Sequence, residues 1–126
     1  MRNSVVHAGK KLQVEFYQKT DGEMPAKKYL ESLPDRTQAK LLALVRWISD
    51  DGQIYDKEKF RIVNKRERIF EFKPYKYRFF SFFIERGKLI ITNGYKKASQ
   101  KVSKKDLKIA IQYKKDYLSR LAWRQP

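Results

Sequence analysis

Three short stretches in the second half of the chain set cations beside aromatic rings: Phe70-Glu71-Phe72-Lys73, Lys76-Tyr77-Arg78 and Tyr95-Lys96-Lys97, with Lys101 four residues further on. Single-stranded RNA is held by cations along its phosphates and by rings stacked on its bases, so these are the residue types an RNA groove requires. Cutting such a strand asks for three things when the 2′-hydroxyl attacks the adjacent phosphorus. A group must accept the hydroxyl proton, cations must stabilise the charge building on the phosphoryl oxygens, and an acid must protonate the departing 5′-oxygen.

Arg78 suits the second task, because a guanidinium stays protonated and grips two phosphate oxygens at once. It also interrupts an aromatic strand, where a cation costs desolvation unless it is paired or reaches a polar groove. Lys96 or Lys97 can donate the proton. The acceptor is harder to name, since a lysine at about pKa 10.4 is neutral only about once in a few thousand molecules at pH 7. Crowding by neighbouring cations would lower Lys73, and Glu71 or Tyr95 are the alternative acceptors. Each has a plainer reading: Glu71 as a structural ion pair, Tyr95 as a ring packed on the last helix. Lys76, Lys101, Arg68 and Tyr77 complete the candidate set as RNA-binding residues.

Composition narrows the remaining chemistry. The 126 residues hold no Cys and one His, His7, which removes thiolate nucleophiles, disulfides, Cys-based zinc sites and His-pair catalysis. Asp50, Asp51, Asp56 and Glu58 form an acidic stretch without the ordered oxygen spacing of a calcium loop, so no metal and no cofactor is expected. Thirty Lys and Arg against fourteen Asp and Glu give a net charge of +16. That field favours a polyanionic partner. No apolar run approaches the ~20 residues of a spanning helix, so no membrane partner is expected and the protein is read as cytoplasmic.

The elements that must position these residues follow from periodicity. A flexible extension is expected over residues 1–10, then a single domain over 11–126. Leu12, Val14 and Phe16 alternate with polar residues as a first strand. Pro25 opens a short helix that stops before Pro34, and Asp35 is expected to cap a second helix. In that helix Leu41, Leu44, Val45 and Ile48 form one stripe, and the two helices are expected to pack as a hairpin. Strands follow over 61–63, 69–73, 77–84 and 89–93, an antiparallel meander with turns at Pro74-Tyr75 and Arg86-Gly87. The run Phe79 to Ile84 is apolar on both sides of its pleat, so both faces must be covered. Ser103 with Asp106 reads as a capping box for a final amphipathic helix.

Taken in order, Phe70-Glu71-Phe72-Lys73, Tyr77-Arg78, Asn93-Gly94-Tyr95-Lys96-Lys97 and Lys101 resemble the signature of the HigB-type, phage-derived relatives of the RelE toxins of bacterial type II toxin-antitoxin systems. Met24-Pro25-Ala26-Lys27-Lys28-Tyr29-Leu30 with Leu33-Pro34 is similar to the helical entry of that family. The resemblance covers roughly residues 12–118. It implies an α+β, RelE-like fold in which a twisted antiparallel sheet, two N-terminal helices and a C-terminal helix frame a basic cleft. It implies a metal-independent endoribonuclease that cuts mRNA, on or off the ribosome, and so inhibits translation and growth. It also implies a cognate antitoxin of the helix-turn-helix HigA type, bound in a toxin-antitoxin hetero-oligomer. By position, Lys73 stands where the family commonly has an Arg, Arg78 matches the Tyr-Arg pair and Lys96-Lys97 the terminal Lys-Lys. The Lys73 departure keeps charge but loses bidentate phosphate geometry. A non-catalytic basic module that binds RNA or ribosome is the competing reading.

Overall fold

The computed structural model describes residues 4–124. The fold is α+β: β1 (Val5–Ala8), β2 (Gln13–Phe16), α1 (Pro25–Glu31), α2 (Asp35–Asp51), β3 (Phe60–Asn64), β4 (Ile69–Phe72), β5 (Tyr77–Ile84), β6 (Lys88–Lys96) and α3 (Lys104–Arg124). All six strands join one sheet in the order β1-β2-β6-β5-β4-β3.

Two expectations about the sheet change. It is mixed rather than wholly antiparallel, because β2 lies parallel to β6, with Val14 opposite Leu89 and Phe16 opposite Ile91. Helices α1 and α2 carry the chain from β2 to β3 at the far edge of the sheet, and β4 and β5 bring it back to β6, so the parallel neighbours are joined by the long connection such a pair needs. The extension expected over 1–10 holds an edge strand, β1, antiparallel to β2, while residues 1–3 lie outside the described residues. Gly9 allows the connection: a Cβ there would stand 2.4 Å from the Ser49 Cβ and 2.5 Å from its carbonyl carbon, so only glycine passes this close to α2. The N–H groups of Lys11 and Leu12 then donate to the Ser49 carbonyl at 2.8 and 2.9 Å.

Alternation along the central strand β5 divides the core in two. Tyr77 and Phe79 point to the face covered by α1 and α2, joining Leu30, Leu41, Leu44, Val45 and Ile48. Phe80 and Phe82 point to the face covered by α3, with Ile69, Ile90 and Ala110. The two-sided apolar run therefore has a helical layer on each side. Helices α1 and α2 do not run along one another as a hairpin. The first packs chiefly on β6 and the second on β1 and β2, each burying its own stripe on the sheet.

Helix ends follow local chemistry with one difference. Pro25 starts α1 with its ring at the first turn, and Gly52 ends α2 in the left-handed region at φ 85°. Asp35 is not the cap of α2. Pro34 holds that place, and Asp35 is the first helical residue, where its carboxylate faces the positive end of the helix dipole. Ser103 caps α3: its Oγ accepts from the Asp106 N–H at 3.2 Å and bonds the Asp106 carboxylate at 2.6 Å. No helix among the described residues is long and apolar enough to cross a membrane.

Candidate active site

Helix α3 covers only part of its face of the sheet. Beyond its first turn the same alternation that buries Ile69 and Phe80 places Glu71 on β4, Arg78 on β5 and Tyr95 on β6, in a cavity of about 230 Å³. Lys73 and Lys97 line it just past the ends of β4 and β6. Arg61 and Glu58 close it on the β3 side, and the segment Ser99–Val102 on the other. Asn93 Nδ2 donates to the Asp106 carbonyl at 3.0 Å, and the Ser103 N–H donates to Tyr95 Oη at 3.2 Å. These two bonds fix the start of α3, and with it the Ser99–Val102 wall, against β6.

Arg78 is held rigidly. Its side chain is 8% exposed, and Nη1 donates to the carbonyls of Tyr75 at 2.7 Å and Tyr77 at 2.8 Å. Tyr75 sits at φ 58° in the β4–β5 turn, a conformation uncommon outside glycine, and it is the carbonyl of this turn that receives the guanidinium. Nε and Nη2 make no hydrogen bond to the described residues, which leaves one edge of the fork for a ligand.

Glu71 is 1% exposed. Its Oε2 accepts from Arg61 Nε at 2.8 Å, while Oε1 has no hydrogen-bond partner among the described residues. Register explains the pair, since Arg61 lies directly opposite Glu71 across β3 and β4. The structural ion-pair reading of Glu71 is thus realised in geometry. An oxygen this deeply enclosed is poorly placed to touch a substrate.

Two side chains that line the cleft titrate away from their ordinary values. Burial pushes the Lys73 ammonium down, and the positive charges of Arg61 and Arg78 push it further. Its Nζ donates to the Lys57 carbonyl at 3.3 Å. Burial pushes the Tyr95 phenol up, against the opposing effect of the Ser103 N–H bonded to its oxygen. Tyr95 therefore remains a neutral phenol, its ring 5.4 Å from that of Phe80. Among the described residues no group of three or more His, Asp or Glu side chains could hold a metal ion.

A family model described as phage-derived protein Gp49-like (DUF891) matches residues 28–115. The chain belongs to the Gp49-like family. No curated protein matches it significantly. The part of this Gp49-like chain that matches takes in most of α1, all of α2 and β3–β6, and the first half of α3. Every residue of the cleft lies within it.

Of the candidates named from sequence, the Gp49-like fold brings Lys73, Arg78, Lys97, Glu71, Tyr95 and Lys101 together. Lys96 is left out. It is exposed, and its place on β6 between Tyr95 and Lys97 turns it from the cleft. Tyr77 is also left out, buried in the core beneath α1 with its ring 6.4 Å from that of Tyr29. Lys76 lines a separate hollow with Arg36 and Tyr75. Arg68 stands in the β3–β4 turn beside another groove. β6 runs to Lys96 rather than ending at 93, so Tyr95 and Lys96 are strand residues whose opposite directions separate their roles. Arg61, Glu58, Ser99 and Gln100 were not anticipated. The only signal for Arg61 was the β3–β4 register that sets it across from Glu71.

Proposed function

We propose that this Gp49-like protein is the toxin of a type II toxin-antitoxin pair, an endoribonuclease of the RelE/HigB kind that cuts mRNA and so arrests translation. The observation that carries the reading is the cleft itself: Arg61, Lys73, Arg78, Lys97 and Lys101 against only two carboxylates, in a cavity of about 230 Å³. Small-molecule sites run upward from ~300 Å³ and are mostly apolar. A smaller, polar, cationic hollow fits a phosphate with its ribose better than it fits an apolar metabolite.

The geometry supports one assignment of roles. Arg78, fixed through Nη1, presents Nε and Nη2 to the phosphoryl oxygens, and its preorganisation means little of its attraction is lost to rearrangement. Lys73 is the acceptor. Its lowered pKa enriches the neutral amine, which takes the proton of the 2′-hydroxyl as the 2′-oxygen bonds to phosphorus. The P–O5′ bond breaks, and the Lys97 ammonium gives its proton to the departing 5′-oxygen, leaving a 2′,3′-cyclic phosphate and a 5′-hydroxyl. Glu71 acts at one remove by anchoring Arg61 and balancing the cations. Tyr95 supplies a ring and a neutral hydroxyl at the cleft wall.

A nuclease with no imidazole in its cleft gains from external positioning of its substrate, so we place the reaction on mRNA held by the ribosome, in the cytoplasm. The net charge of +16 calls for an acidic or acid-patched antitoxin that shields the cleft until it is removed. Expression of the chain without a partner tests the reading. Growth arrest that Arg78→Ala relieves at equal protein level is the expected result; harmless expression of folded wild type would overturn it.

A further inference from the structure

The opposite face of the sheet is also only partly covered. Helices α1 and α2 lie over β1, β2 and β6, and beyond them β3, β4 and β5 floor a groove of about 700 Å³. Its floor is aromatic. Phe60 and Phe70 stack with centroids 5.4 Å apart and planes within 4°, and Phe83 meets Phe70 edge-on at 5.0 Å. Phe70, Phe83 and Ile62 are only half-buried, and Tyr55 stands 80% exposed at the rim. The rim also carries the cations Lys57, Lys65 and Arg68, and among the described residues no carboxylate lines the groove. Arg68, at φ 55° in the β3–β4 turn, carries its guanidinium 5.9 Å from the centre of the Phe70 ring.

Arg61 lines both this groove and the cleft. The groove therefore begins where the cleft ends, across the edge strand β3. The cleft is too small for more than the reacting nucleotide, so the flanking nucleotides of any strand it holds must lie outside it. We propose that the aromatic groove on the α1/α2 face is a second binding site for single-stranded RNA, which takes the nucleotides flanking the reacting one after the strand passes Arg61 over the β3 edge. The proposal rests on the RNA reading of the cleft. Exposed rings receive bases without regard to sequence, and Lys57, Lys65 and Arg68 follow the backbone.

Fluorescence anisotropy with 2′-deoxy oligonucleotides, which lack the attacking hydroxyl, tests this on the full chain. Wild type is expected to bind a single strand of about nine nucleotides at least about tenfold more tightly than a trinucleotide. Tyr55→Ser with Arg68→Ala, both at exposed positions, should abolish that gain and leave trinucleotide affinity unchanged. Lys104→Ala with Lys105→Ala, which removes more charge from the exposed start of α3, should preserve it. A full length-dependent gain in the groove variant would overturn the proposal and give the groove to an acidic protein segment. Equal loss in the α3 variant would also overturn it, by reducing the effect to overall charge. Cleavage of a ribo-oligonucleotide by wild type is scored separately, so failure of the nuclease reading is distinguishable from failure of the groove.

Discussion

Arg61 Nε donates to Glu71 Oε2 at 2.8 Å, joining a half-exposed guanidinium on the edge strand to a carboxylate that is 1% exposed beneath the cleft floor. A buried carboxylate is tolerated only while paired, and the partner here also lines the cleft and the aromatic groove. One ion pair thus links sheet stability to the shape of the candidate site.

Arg61→Ala should accordingly destabilise the fold, because it strands the Glu71 charge. With Arg78 and Lys73 still nearby the cost should be about 1–3 kcal/mol. It is read from the midpoint of urea unfolding. Glu71→Gln with Arg61→Ala should recover part of the loss, since the buried charge is then gone; a double variant no better than the single would deny the pairing its role.

Lys73 should titrate below the ordinary lysine value, and a shift-based NMR titration of its side chain reads this directly. The sign for stability follows. Between the depressed folded pKa and the ordinary 10.5, the folded chain binds fewer protons than the unfolded one, so stability gains with rising pH in that window. Lys73→Gln should flatten that rise. Arg78→Ala should move the Lys73 pKa upward by removing a neighbouring cation, and an unchanged Lys73 titration would contradict the crowding account.

The expectations that survived contact with the structure rest on local periodicity. The stripe Leu41, Leu44, Val45, Ile48 reports one helix face whatever it packs against, and the run Phe79 to Ile84 announces a doubly covered strand. What could not be read depends on partners distant in sequence. Nothing local to Leu12–Phe16 says that this strand lies parallel to β6, nor that Val5–Ala8 adds an edge beside it. The cleft was legible by type but not by direction. Lys96 and Lys97 are chemically alike, and only the phase of β6, which runs three residues farther toward Lys97 than its hydrophobic pattern suggests (through Thr92, the extra residue at an irregularity opposite Phe80 and Ser81), decides which of them lines the cleft with Arg78. Tyr77 was misplaced for the same reason, one pleat from Arg78 and on the other face.

Gly94 is held by packing rather than by its backbone angle. A Cβ there would meet Phe79 Cε2 at 2.7 Å and Tyr29 Cδ2 at 2.8 Å. Gly94→Ala should cost about 1–3 kcal/mol, as forced overpacking does. The shift should appear as a lower urea midpoint at an unchanged m-value.

Ser103→Ala removes the cap of α3 and should cost about 0.5–2 kcal/mol. Since the Ser103 N–H also holds Tyr95 Oη, hydrogen exchange should quicken in the first turn of α3 and at Ser99–Val102 before it quickens elsewhere. Uniform quickening across the sheet would mean that the cap does not position the cleft wall.

The most direct test of the central claim is cleavage of an end-labelled single-stranded mRNA by purified wild type and by Arg78→Ala with Lys97→Ala, in EDTA, with and without ribosomes. Wild type is expected to cut to products ending in a 2′,3′-cyclic phosphate, most efficiently on the ribosome, and the double variant to lose cutting while remaining folded. Wild type that binds the RNA but never cuts it in either condition, with the double variant only weakening binding, would contradict the nuclease account and leave a basic RNA-binding module in its place.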